Sequence, residues 1–154
     1  MPPIKVLGRS VDLMDFEVPD EKGDFIGGRI YTRQINVSFS NISNIRWWEM
    51  YRLHGSPGKL IFFIIPENDF ENEAAFRGKI YHGLNKADFF MSVAFTVKLV
   101  DVIITKPPAY KAVQKEIDKR VKEGRSLGQL KPKRIYSVDE EGLKEAYSKF
   151  GATP

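Results

Sequence analysis

His54 and His82 are the only two imidazoles in this 154-residue chain, and cysteine is absent. The missing cysteines exclude thiolate zinc sites, iron–sulfur ligation, thiol nucleophiles and disulfides in one step. Neither histidine has a second histidine at helical or hairpin spacing, so no metal centre is expected. The acidic run Glu67-Asn68-Asp69-Phe70-Glu71-Asn72-Glu73 has the composition of a calcium loop but not its spacing. Counted from Asp69, the sixth and twelfth positions are Ala74 and Ile80, where glycine and an acid are required. Counted from Glu67 they are Asn72 and Gly78, and the match fails again. Gly55-Ser56-Pro57-Gly58 contains a serine, but Pro57 removes a backbone N–H where an oxyanion or phosphate cradle needs one. Nucleophile elbows, phosphate-binding loops and dinucleotide fingerprints do not occur. The expectation is a protein without catalytic residues or cofactor, and not an enzyme.

The remaining chemistry is ionic. Residues 1–105 carry 12 basic and 13 acidic side chains, whereas residues 106–154 carry 12 basic and 7 acidic. Nine cations in that C-terminal part are candidate anion or nucleic-acid contacts: Lys111, Lys115, Lys119, Arg120, Lys122, Arg125, Lys131, Lys133 and Arg134. Such a run suits nucleic acid or an acidic protein surface, and equally a solvated helix and linker.

Tyr31, Ile35, Val37 and Phe39 alternate with Thr32, Gln34, Asn36 and Ser38, which predicts a strand over Tyr31–Phe39 after a Gly27-Gly28 turn. Asn44–His54 has Trp47, Met50, Tyr51 and His54 at helical spacing and predicts a helix capped by Ser43 or Asn44 and closed by Gly55. Neighbours on a helix diverge by ~100°, so either Trp47 or Trp48 would meet a second surface, such as another subunit. Lys59–Ile65, bounded by Pro57-Gly58 and Pro66, predicts a strand buried on both faces. Ala75–His82 predicts a weaker strand, with Gly83-Leu84-Asn85-Lys86 as a turn. Phe89 to Leu99 alternates as a long strand whose apolar phase flips after Leu99, the mark of a bulge or a change of sheet.

Beyond Pro107-Pro108 the character changes. Ala109–Glu123 predicts a helix with a thin apolar stripe, Tyr110, Val113, Ile117 and Val121. Gly124–Lys133 predicts a linker. A last helix is expected from Ser137, where Ser137-x-x-Glu140 forms a capping box. It would expose Leu143, Ala146, Tyr147 and Phe150 on one face and end at Gly151. The sum is mainly β with α: an antiparallel barrel or sandwich over residues 1–105 with one inserted helix, then a basic two-helix arm over 106–154. The longest apolar run, Leu60–Ile65, is far below the roughly 20 residues a bilayer needs, and the start has no secretory pattern.

The order of features over about residues 25–105 resembles the small β-rich structural proteins of bacteriophage tails, of the tube, tube-initiator and minor or distal tail types. It rests on the strand Arg29–Phe39, the Trp47-Trp48 helix, the turn His54–Gly58, the strands Lys59–Ile65 and Ala75–His82, and the strand from Met91 to Asp101. The resemblance implies a non-enzymatic virion component, made in the host cytoplasm, that forms homo-oligomeric rings and meets neighbouring virion proteins. Trp47, Trp48, Tyr110, Val113, Ile117, Val121, Leu143, Tyr147 and Phe150 would then anchor subunit or partner contacts. The alternative is a single-stranded nucleic-acid-binding protein, an OB-like β body with exposed aromatics beside the basic arm.

Overall fold

Leu60 to Ile65 lie at the centre of the molecule, each no more than 1% exposed, as expected of a strand covered on both faces. A computed structural model describes residues 13–19, 22, 25–55, 58–68, 72–87, 89–105, 114–126 and 134–152. Two strands, β1 (Leu13–Pro19) and β2 (Phe25–Tyr31), form an antiparallel hairpin. The main sheet follows: β3 (Ile45–Leu53), β4 (Lys59–Pro66), β5 (Val100–Ile104) and β6 (Ile135–Val138), in the order β5-β4-β3-β6. β3 and β4 are antiparallel, while β5 runs parallel to β4 and β6 parallel to β3. Five helices complete the described structure: α1 (Thr32–Ser40), α2 (Glu73–Ala87), α3 (Phe89–Thr96), α4 (Gln114–Ser126) and α5 (Glu140–Lys149).

The result is a layered α/β arrangement, which corrects the expected antiparallel barrel or sandwich: the four-stranded sheet is mixed and not closed. One face presents Trp48, Met50, Leu60, Phe62, Ile64 and Val102 to Ile35 and Phe39 of α1, Phe76, Ile80 and Leu84 of α2, and Met91 and Ala94 of α3. The other face presents Trp47, Tyr51, Ile61, Phe63 and Ile65 to Ile117 of α4 and to Ala146, Tyr147 and Phe150 at α5. Parallel pairing requires long crossovers. α2 and α3 carry the chain from β4 to β5, and α4 lies between β5 and β6.

Several element assignments are corrected. The expected strand Tyr31–Phe39 is helical from Thr32: Ile35 and Phe39, four residues apart, share one buried side, while Val37 is 59% exposed. The expected helix Asn44–His54 is strand β3. Adjacent tryptophans therefore point to opposite faces, and both are buried, Trp47 at 1% and Trp48 at 2% exposure. Neither is left over for another subunit. Ala75–His82, expected as a strand, and Gly83–Lys86, expected as a turn, both lie inside α2. The flip of apolar phase near Leu99 is the end of helix α3 and the start of β5, with Lys98 in the left-handed region at φ 60° between them. Gly27 and Gly28 lie within β2, opposite Glu17 and Phe16, and do not make a turn ahead of it.

The capping box at Ser137 is also displaced. β6 recruits Ser137 into the sheet opposite Arg52, and Asp139 becomes the N-cap, accepting from the Gly142 backbone N–H at 2.8 Å. Gly151, at φ 66°, ends the helix as expected. Gly142 is fixed by packing: a Cβ there would lie 2.9 Å from the Val138 Cβ, whereas one on Gly78 would meet nothing within 4 Å. Gly78→Ala is therefore expected to stabilise by about 0.5–1 kcal/mol. Gly142→Ala should lower stability despite the same propensity gain. Urea midpoints of the two variants check the opposite signs.

Candidate functional site

The positions Trp47, Glu49 and Tyr51 project from one side of β3, and on that side β3 is buried among apolar groups. Glu49 is a fully buried carboxylate, at 0% exposure. Such a charge is tolerated only when paired and hydrogen-bonded. Trp47 Nε1 donates to Glu49 Oε2 at 2.8 Å, and the Tyr51 hydroxyl donates to Oε1 at 2.7 Å. Lys149 Nζ of α5 reaches Oε1 at 3.5 Å, and Arg120 of α4 lies 3.9 Å from Oε2. The same two cations also reach Glu116, at 3.6 and 3.0 Å, so two acids and two bases form one network. Arg120 further donates to the Tyr136 hydroxyl of β6 at 2.7 Å. The cluster joins β3, β6, α4 and α5.

Arg134 closes its edge. The guanidinium lies 3.9 Å from the centre of the Trp47 ring and 4.9 Å from that of Trp48, and donates to the Trp48 carbonyl at 3.0 Å. Burial draws its pKa down to about 10, against the pull of Glu49, so it stays protonated at neutral pH. For Arg120, burial also acts downward, but the Tyr136 hydrogen bond and the two carboxylates outweigh it and the pKa rises. Burial raises the hydroxyls of Tyr51, Tyr136 and Tyr147; Glu49 adds to the first two and Asp101 to the third.

These three tyrosines hold their protons in the folded state after an unfolded chain begins to lose them at pH ~10. Their contribution to stability is complete below that pH and is lost as pH rises above it. Arg134, whose pKa burial lowers, acts in the opposite sense above pH about 10, but is one group against three. An ultraviolet phenolate titration should show these three of the six tyrosines ionising at higher pH than a free tyrosine, Tyr51 last and together with alkaline unfolding.

The sequence-derived contact residues divide into inner and outer sets. Trp47, Trp48, Ile117, Tyr147 and Phe150 are buried within the chain, and Val121 and Leu143 pack against the cluster that holds all of these but Trp48. Tyr110 and Val113 lie outside the described residues. Of the nine basic candidates, Arg120 and Arg134 turn inward as above. Lys115, Lys119 and Lys122 are exposed on α4. Arg125 belongs to the same helix, and Lys111, Lys131 and Lys133 lie outside the described residues. Lys115, Lys119 and Lys122 stand at i, i+4 and i+7 and so share one face of α4, opposite Ile117 and Val121. The apolar side fixes the helix on the sheet and the lysine side is presented outward.

Glu49 itself escaped the sequence reading. A Trp-x-Glu-x-Tyr alternation was its available signal, since on a strand these three side chains share a face. Among the described residues, no group of three or more His, Cys, Asp or Glu side chains is gathered to hold a metal ion. Nor is any helix there long and apolar enough to cross a membrane. No family model, curated protein or solved structure matches the chain.

Proposed function

We propose that this protein is a non-catalytic binding module that holds nucleic acid by its phosphates along the outer face of α4. The carrying observation is the exposed row Lys115, Lys119 and Lys122 on a helix whose other side is anchored by buried Ile117. Rigid presentation matters, because ordering a loose lysine-rich segment would cost entropy on binding. The basic balance of the whole chain, net +4, works in the same direction. Glu49 does no chemistry in this reading. Both of its oxygens are occupied, and its function is to lock α4 and α5 onto the sheet. The contacts are to backbone, so sequence preference is weak.

The test is the salt dependence of binding to single-stranded and duplex DNA. Each phosphate contact contributes about 0.7 to the logarithmic slope for single strands and about 0.9 for duplex. Lys115→Gln, Lys119→Gln and Lys122→Gln together should flatten the slope by about two to three. Unchanged affinity and slope in that variant would refute the assignment.

A second reading keeps the ring-forming virion component. It is supported by the open sheet, in which β6 pairs with β3 alone among the described residues. A strand from another copy could extend it there. A monomeric mass at high protein concentration would remove this reading.

A further inference from the structure

On the opposite side of the sheet from α4, α1 and α2 enclose a groove of about 460 Å³. Lys79, His82 and Lys86 line it from α2, at i, i+3 and i+7, and so form one stripe along that helix. The three side chains are exposed, and none of them makes an ion pair among the described residues. Among the described residues, no acidic side chain lines the groove. Two lysines on one helix face present a positive field to an anion lying in the groove.

The α1 side of the groove has a different character. Val37 is the one large hydrophobic side chain left exposed among the described residues, at 59%, and it lines the groove with Ile42. Ser38 and Ser43 add hydroxyls. Gly83 sits within the basic stripe, and a Cβ there would come within 3.1 Å of Ile42 Cδ1. Glycine thus lets Ile42 lie close against α2 despite its poor helix propensity. One wall is cationic and the other apolar with hydroxyls, in a volume typical of small-molecule sites.

We infer that the α1–α2 groove binds a soluble organic phosphate of nucleotide size. Its phosphate is held by Lys79, His82 and Lys86, and its ring lies against Val37 and Ile42. The site is separate from the α4 lysines and does not depend on their role. Calorimetric titration of the full chain with adenosine 5′-monophosphate, inorganic phosphate and adenosine tests it. The monophosphate should bind saturably, at least tenfold more tightly than inorganic phosphate, and adenosine should bind no better than inorganic phosphate. Lys79→Gln with Lys86→Gln should weaken the monophosphate at least tenfold. The α4 triple variant should leave it unchanged. A circular-dichroism melt matching the parent shows that the double variant folds. Absence of saturable binding, equal binding by the double variant, or loss of binding in the α4 variant would each overturn the inference.

Discussion

Ending the chain before Lys106 is expected to give an unfolded, protease-sensitive polypeptide and not a smaller stable body. The missing residues supply β6, α4 and α5, and with them the cover over Trp47, Tyr51, Ile61, Phe63 and Ile65. Burial of each such side chain contributes roughly 1.5–3 kcal/mol, so five of them together approach the 5–15 kcal/mol that holds a domain folded. Glu49 would also lose Lys149 and Arg120. The point variant Phe150→Ala removes a fully buried ring stacked 4.8 Å from Phe63 and should cost about 3–5 kcal/mol. Far-ultraviolet circular dichroism and limited proteolysis of the truncated chain are the measurements. A cooperative melt near that of the full chain would contradict the prediction.

Glu49→Ala should destabilise by about 3–5 kcal/mol, because it leaves two cations and two hydrogen-bond donors without the group that gathers them. Trp47 Nε1 and the Tyr51 hydroxyl would both lose their acceptor in a buried setting. An informative companion is Glu49→Leu combined with Lys149→Met, which removes charge from both sides. It should recover only the part of the loss that comes from the unpaired Lys149 charge, since Trp47 Nε1 and the Tyr51 hydroxyl stay without their acceptor. The exposed pair Glu141–Lys144 gives the contrast: Lys144→Ala should change stability by less than about 0.5 kcal/mol. Denaturant unfolding of the three variants checks the ranking, and a Glu49→Ala loss no larger than that of Lys144→Ala would refute the central role of the cluster.

A sequence pattern is legible where it has a single structural solution. Leu60–Ile65 was legible because an uninterrupted apolar run of that length, bounded by Pro57-Gly58 and Pro66, fits a strand covered on both sides. Gly151 was legible because its conformation is nearly reserved for glycine. Tyr31–Phe39 was not, because Ile35 and Phe39 satisfy a period of two and a spacing of four equally well. The packing of α1 on α2 and β2 decides that case. Trp47-Trp48 was misread for a related reason. Two adjacent buried aromatics fit a strand that has a layer on each side, and the existence of the second layer depends on residues seventy and more positions later. Of the site, the exposed lysines of α4 were legible from charge alone. The inward roles of Arg120 and Arg134 were not, since nothing local distinguishes a guanidinium that faces water from one stacked on Trp47.

The parallel pairing of Met50 with Ile135 joins neighbours that are far apart along the polypeptide. During synthesis, β3 emerges from the ribosome long before its partner strand exists. One side of the sheet then stays only partly covered, by α4, until α5 is translated. The nascent protein must therefore wait, with aromatic surface open to chaperones or to other unfinished copies, and its yield in the cell should depend more on elongation rate and holdase supply than on the stability of the finished fold.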